Sequence, residues 1–411
     1  MLYQLHEMQR AALNPLTAFA AAGAQMFSDP QSPLSYMPFA NRMAAGYELF
    51  YRINKDYEKP AFGLHATTVD GTEVPVLERV VADKPFCRLL RFERFFPQEL
   101  ASRPADPKVL LVAPLSGHHA TLLRDTVRQL ITANDVYVTD WSDGRMVPVA
   151  EGPFHLDDYI AYVQDFIRQL GPDVHVISVC QPTVPVLAAI ALMAAEHDPK
   201  LPRTMTMMGG PIDTSKSPTQ VNDLATTKPY SWFENNVIHK VPANFPGHGR
   251  AVYPGFLQHA GFVAMNPDRH MTSHYDFYLQ LVRGDDQDAD QHRRFYDEYN
   301  AVLDMPAEYY LDTIRTVFQE RALANGNWVV RGQLVDPSKI ETVALFTIEG
   351  ELDDISGSGQ TEAAHGLCSN IPADKKQHYV AEQCGHYGIF SGSRWRKVIY
   401  PRIHDFIRQH A

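Results

Sequence analysis

Four cysteines in 411 residues, at positions 87, 180, 368 and 384, form neither a dense disulfide framework nor a metal-ligand spacing. Their even number is weak support for disulfides, and reduced thiols in a cytoplasmic protein are the better expectation. Positive charge is scarce too. Lys and Arg number 37 against 48 Asp and Glu, for a net charge of -11, so no basic patch exists to neutralise phosphates. Nucleic acid is excluded as a partner, and polyanionic substrates are disfavoured. No run reaches the roughly 20 apolar residues that span a bilayer. The nearest, Leu16 to Phe27, follows a lead-in with one Glu and one Arg rather than the basic cluster of a secretory signal, which predicts a retained N-terminus. What is abundant is apolar character: at 45% hydrophobic residues the chain can bury a large core and still carry an insertion or arm.

Residues 1–60 read as an amphipathic helical arm, broken at Asn14-Pro15 and Asp29-Pro30, that could contact an apolar surface or pack as a supporting hairpin. A strand pair flanks the Asp70-Gly71 turn, with Thr67 to Val69 on one side and Val74 to Leu77 on the other. Strands then alternate with helices at βαβ spacing: Val109 to Ala113, Val136 to Val138, Val174 to Val179 and Met205 to Met208. A helix around Leu156 to Ile167 shows an apolar face that is core packing. From 213 to 340 the alternation stops and aromatics crowd together, among them Tyr230, Trp232, Phe233, Tyr253, Phe262 and Tyr278. This predicts a helical cap inserted between two sheet strands, either closing over an apolar cleft or packing its own core, and able to support a homodimer. A helix over 307–324 would return the chain to the sheet. The predicted organisation is a core of 61–212 and 341–411 interrupted by the cap.

Cys180 ends an apolar run and precedes Gln181-Pro182 and an Ala-rich helix. That is the strand, elbow and helix of an α/β-hydrolase, usually written G-x-S-x-G, with both glycines replaced and Ser become Cys. A buried cysteine closing a core strand is the alternative. Two further strands decide between them. Val343 to Ile348 leads to Asp353-Asp354, and Gln377 to Val380 leads to His386. Nucleophile, acid and histidine follow in the chain order of this fold, each at the carboxyl end of a strand. The predicted fold class is therefore α/β, an α/β-hydrolase with a mostly parallel central sheet, a helical cap and an N-terminal helical arm. The backbone N–H of Gln181 and one near Leu115 or Ser116 are the oxyanion candidates. Gly117, His118 and His119 read as substrate-binding; the histidine pair could also hold a metal, but no carboxylate or further His sits at ligand spacing.

Ser178 to Pro182, Glu349 to Gly357, Cys384 to Gly392 and Ala113 to His119 together resemble the intracellular polyhydroxybutyrate depolymerases of bacteria. Leu156 to Tyr159, Met208 to Asp213 and Gly247 to Phe256 extend the resemblance over nearly the whole chain. It implies a Cys180-Asp353-His386 triad, an amorphous intracellular polyester as substrate, hydroxybutyrate oligomers as products and attachment to storage granules. It implies no metal or organic cofactor, with coenzyme A conceivable as acyl acceptor in place of water. In the related polyester synthases the acid precedes a His-Ile pair, which matches Asp353 before Asp354-Ile355 and makes Asp354 the second choice. Three rival functions remain: a polyester synthase, a small ester or thioester hydrolase, and a non-catalytic granule-coating protein.

Overall fold

In the computed structural model, which describes residues 2–100, 102–265 and 267–411, the chain opens as a helical hairpin of α1 (Leu2–Ser28) and α2 (Ala40–Asn54). Met1, the first residue of the expected arm, lies outside the described residues. The break expected at Asn14-Pro15 does not occur, and α1 continues through Pro15 to the second expected break at Asp29-Pro30. Pro15 removes one helical donor, a local cost that contacts on either side outweigh. Arg10 binds Asp56 beyond the end of α2, while Phe19 and Phe27 pack on Tyr47. Gly23 makes the close approach possible, since a Cβ there would stand 2.9 Å from the Tyr47 ring.

The sheet begins with β1 (Ala66–Val69) and β2 (Thr72–Lys84), paired across Asp70 and Gly71, whose φ of 49° and 81° fit the primed hairpin turn that matches strand twist. Next, β3 (Cys87–Arg94) pairs antiparallel with β2; its irregular mixture of apolar and charged residues does not announce a strand. Then follow β4 (Lys108–Val112), α3 (Arg124–Leu130), β5 (Asp135–Trp141), α4 (Leu156–Leu170), β6 (Val174–Val179), α5 (Thr183–Ala195) and β7 (Thr204–Met208).

The segment after β7 holds α6 (Gln220–Thr227), α7 (Tyr230–Asn236), β8 (His239–Lys240), β9 (Ala251–Tyr253), α8 (Gly255–Met265), α9 (Pro267–Arg283), α10 (Asp286–Tyr299), β10 (Met305–Pro306) and α11 (Ala307–Thr313). It is not purely helical as expected, because β10, β9 and β8 form a small antiparallel sheet from strands of two or three residues, too short to leave a periodic signal. Nor does one helix cover 307–324: α11 passes into a π-helical stretch, Ile314–Gln319, where the Glu320 N–H reaches back five residues to the Arg315 carbonyl at 2.8 Å. After the short hairpin of β11 (Val329–Val330) and β12 (Gln333–Leu334), the main sheet resumes with β13 (Ala344–Gly350) and β14 (Lys376–Ala381).

The main sheet runs in the order β1-β2-β3-β5-β4-β6-β7-β13-β14, and its six strands from β5 onward are mutually parallel. Helices α4 and α5 cover one face; α3 and a C-terminal helix, Tyr400–Gln409, cover the other. Burial on both faces leaves every residue of β6, β7 and β13 buried, the occasional Thr, Ser, His or Glu included, so these strands show no solvent-facing polar side.

Arm, core and inserted segment meet at a buried polar junction. The Tyr3 hydroxyl donates to Asp304 Oδ2 at 2.6 Å, and the Gly255 N–H donates to Asp304 Oδ1 at 2.8 Å. Asp143 accepts the Asp304 N–H and pairs with Arg145. Burial first, and the neighbouring Asp143 second, push the Asp304 carboxyl up to about 7. Since an unfolded Asp ionises near 3.9, the native state holds the extra proton between those values, and stability falls as pH rises from about 4 to about 7. Asp304→Asn should flatten that part of the slope, as read from urea midpoints at pH 5 and pH 7.5.

Candidate active site

Cys180 leaves β6 with φ of 67°, a left-handed conformation that side chains with a Cβ rarely adopt and that is held only by over-determined surroundings. Its N–H bonds the Met208 carbonyl of β7 at 2.7 Å, and its own carbonyl accepts the Thr183 N–H at the start of α5. The glycines missing around the elbow are replaced by a pair, Gly209 and Gly210, just past the end of the neighbouring β7. A Cβ on Gly210 would fall 1.8 Å from Thr183 Oγ1 and 2.6 Å from the Cys180 carbonyl oxygen. One on Gly209, at φ of 55°, would fall 3.2 Å from Asp353 Oδ2 and 3.3 Å from His386 Cε1. Close packing that G-x-S-x-G obtains within the elbow is obtained here from residues just past β7.

Asp353 and His386 follow β13 and β14. His386 Nδ1 lies 2.7 Å from Asp353 Oδ2, and both side chains are buried. The second carboxylate oxygen of Asp353 accepts the N–H groups of Ile355 and Ser356 at 2.9 and 2.8 Å, which fixes its rotamer. Asp354 is exposed. Behind the loop, buried Glu349 accepts three backbone N–H groups, from Gly359, Thr361 and Glu362, while Thr361 bonds both backbone polar groups of Gly210. Burial works against a charge on His386, but the Cys180 thiol and the Asp353 carboxylate outweigh it and hold the imidazole well above its ordinary range.

These groups open onto a cavity of about 540 Å³ whose wall is largely apolar. Leu115, Ser116, Cys180, Gln181 and His386 all line it. Among the described residues no backbone group accepts the N–H of Ser116 or of Gln181, which leaves both available for a bound oxygen. Of the three residues expected to touch substrate, only His118 lines the cavity; it stacks on Phe262, its Nε2 is 3.1 Å from the Tyr299 carbonyl, and burial lowers it to about 4, so it is neutral. Gly117 contributes backbone, accepting the Leu303 N–H at 2.7 Å. His119 lies off the cavity, in range of Lys59 and Asp140, and is likewise lowered by burial to about 4. The inserted segment supplies the opposite wall, including Gln258, Phe262, Tyr309 and Tyr310. Tyr309 donates to Gln181 Oε1 at 2.5 Å. Gln258 carries no sequence signal of a site, since an isolated Gln inside an apolar helix belongs to no recognisable pattern.

A mostly parallel sheet of this strand order, with a left-handed Cys on the elbow after β6 and an Asp–His pair after the next-to-last and last strands, defines an α/β-hydrolase. Residues 209–411, just under half of the chain, match the family model described as PHB de-polymerase C-terminus. A curated relative, the poly(3-hydroxyalkanoate) polymerase subunit PhaC of Haloferax mediterranei, is 21% identical over 298 residues, 70% of this chain and 55% of that protein; the chain thus spans about half the relative's length. Solved structures with some likeness include a monoacylglycerol lipase of Paleococcus ferrophilus, at 12% identity and TM-score 0.42 over 75% of this chain and 97% of that one. Another is a 2-hydroxy-6-oxo-6-phenylhexa-2,4-dienoate hydrolase of Rhodococcus, at 12% identity and TM-score 0.41 over 82% and 99%. Likenesses this low add nothing to the fold assignment, which rests on the sheet and the elbow.

The raised His386 imidazole should stay protonated above the ordinary midpoint of about 6.5. Cys180→Ala, which removes one of the two groups that raise it, should bring the titration down. NMR of ring-labelled His386 measures both.

Proposed function

We propose that this chain is an ester hydrolase that cleaves an apolar polyester, amorphous intracellular poly(3-hydroxybutyrate), with Cys180 as nucleophile, His386 as acid and base, and Asp353 as its orienting carboxylate. The observation that carries the reading is the left-handed Cys180 at the end of an apolar cavity that His386, locked to Asp353 at 2.7 Å, also lines. Cys180 Sγ adds to the ester carbonyl carbon, and the resulting oxyanion is held by the N–H groups of Gln181 and Ser116. As the C–O bond breaks, His386 gives its proton to the leaving alkoxide, and an acyl thioester remains on Cys180. Water, deprotonated by His386, then attacks that thioester; the C–S bond breaks, the hydroxy acid leaves and the thiolate returns. No metal or organic cofactor enters this scheme, and coenzyme A could stand in for water as acceptor.

Granule attachment finds support in the arm, where Leu5, Met8, Leu16, Phe19, Phe39 and Ile53 all stand exposed, and a location on cytoplasmic granules follows. No helix among the described residues is long and apolar enough to cross a membrane, so the arm would lie on a surface rather than span one. The second reading, polymer synthesis from acyl thioesters, is favoured by the relative named as a polymerase subunit.

Purified protein incubated with amorphous polyhydroxybutyrate granules should release 3-hydroxybutyrate and its oligomers. Cys180→Ala should abolish release, and Asp353→Ala should lower it by roughly 10³-fold or more, whereas Asp354→Ala should leave it within about twofold, as expected for an exposed side chain with no part in the chemistry. No release, together with polymer formed from 3-hydroxybutyryl-coenzyme A, would replace the hydrolase reading with the synthase one.

A further inference from the structure

Two side-chain amides reach the cavity with one polar atom each left over. Gln258, on α8 and 3% exposed, donates Nε2 to the carbonyls of Tyr253 and Leu303 at 2.8 and 3.1 Å. Carbonyls only accept, so the amino group is fixed on them and Oε1 is turned the other way. That oxygen is buried and has no partner among the described residues, on a side chain that lines the mostly apolar cavity. Gln181, 8% exposed, is its complement: Tyr309 occupies Oε1, and Nε2 is buried without an acceptor. Such orphans raise the free energy of the empty site and are relieved by a ligand that meets them. Gly117 belongs to the same arrangement, because a Cβ there would stand 2.9 Å from Gln258 Oε1 and crowd it.

The geometry points to a hydroxyacyl subsite: Gln258 Oε1 accepts a hydrogen bond from the free hydroxyl of a hydroxyalkanoyl chain end, and Gln181 Nε2 donates to a carbonyl of the same chain. The assignment rests on the ester-hydrolase reading and deepens it. An unsubstituted acyl chain brings a carbonyl but no hydroxyl and leaves Gln258 Oε1 unpaired. An internal repeat of a polyester has its hydroxyl esterified and fails in the same way. Attack at the hydroxyl end, releasing one hydroxy acid or short oligomer at a time, is therefore favoured over cleavage in mid-chain.

The test compares kcat/KM for p-nitrophenyl 3-hydroxybutyrate, p-nitrophenyl butyrate and p-nitrophenyl 3-methoxybutyrate, with Gln258→Met and Cys180→Ala alongside. Wild-type protein should prefer the hydroxy ester to the butyrate by roughly ten- to a hundredfold, and should handle the methoxy ester, which cannot donate, no better than the butyrate. In Gln258→Met, of similar length and without the acceptor, the ratio of hydroxy-ester to butyrate kcat/KM should fall to about one. Equal wild-type rates on the hydroxy and butyrate esters, or equal rates on the hydroxy and methoxy esters, would overturn the subsite whether or not the Met variant folds. A folded Gln258→Met that keeps the preference would overturn it too. In each case butyrate cleavage that is lost in Cys180→Ala leaves the hydrolase reading standing; cleavage of no ester by wild type would overturn both.

Discussion

Everything at the site depends on how closely β6 and β7 approach at their carboxyl ends. Cys180 can occupy a left-handed conformation only because its N–H is tied to Met208 and its carbonyl nests against Gly210, with no side chain between them. The same bare backbone at Gly209 leaves the space in which Asp353 and His386 meet. One strained residue, of a kind that costs roughly 1–3 kcal/mol, is thus supported by two strands, a helix start and a glycine pair. That support is the physical reason a Ser178-Val179-Cys180-Gln181-Pro182 elbow can do without its usual glycines.

The loop after β13 applies a second restraint of the same kind. Buried Glu349 gathers three N–H groups from the loop's far end, and Thr361 clasps Gly210, so the turn carrying Asp353 is pinned at both ends to the sheet. The catalytic candidates stand on rigid strand ends, while the opposite wall of the cavity comes from a segment built of short helices and very short strands. The two walls of the cavity thus come from two differently constructed parts of the chain.

Much of this was legible in the residues themselves. Fully buried parallel strands rich in apolar residues lead to Cys180 and Asp353, while the half-buried strand before His386 is marked mainly by its short Tyr379-Val380-Ala381 end. The choice of Asp353 over Asp354 agrees with a hydrogen bond that only coordinates can display. Other features leave no sequence signal. Pro15 reads as a break because proline chemistry is local, yet the helix is held by Tyr47 and Asp56, distant in sequence. The strands of two or three residues in the insertion fall below any periodicity. His119 and His118 are adjacent in sequence and differ only in which way the backbone turns them. Gln258 owes its role to two carbonyls and a glycine from elsewhere, so no local pattern could have found it.

The junction at Asp304 ties two distant surfaces together. Tyr3 of the arm grips the Asp304 carboxylate, and the preceding residue, Leu303, supplies the carbonyl that orients Gln258 and the N–H that holds Gly117. A single peptide step separates the anchor of the exposed apolar arm from the cavity wall. Linkage is reciprocal by thermodynamic necessity: if seating the arm on a surface shifts residues 303 and 304, the affinity of the cavity for its ligand shifts with it, and a filled cavity alters the arm's grip by the same free energy. Arm and cavity would then share one equilibrium rather than two.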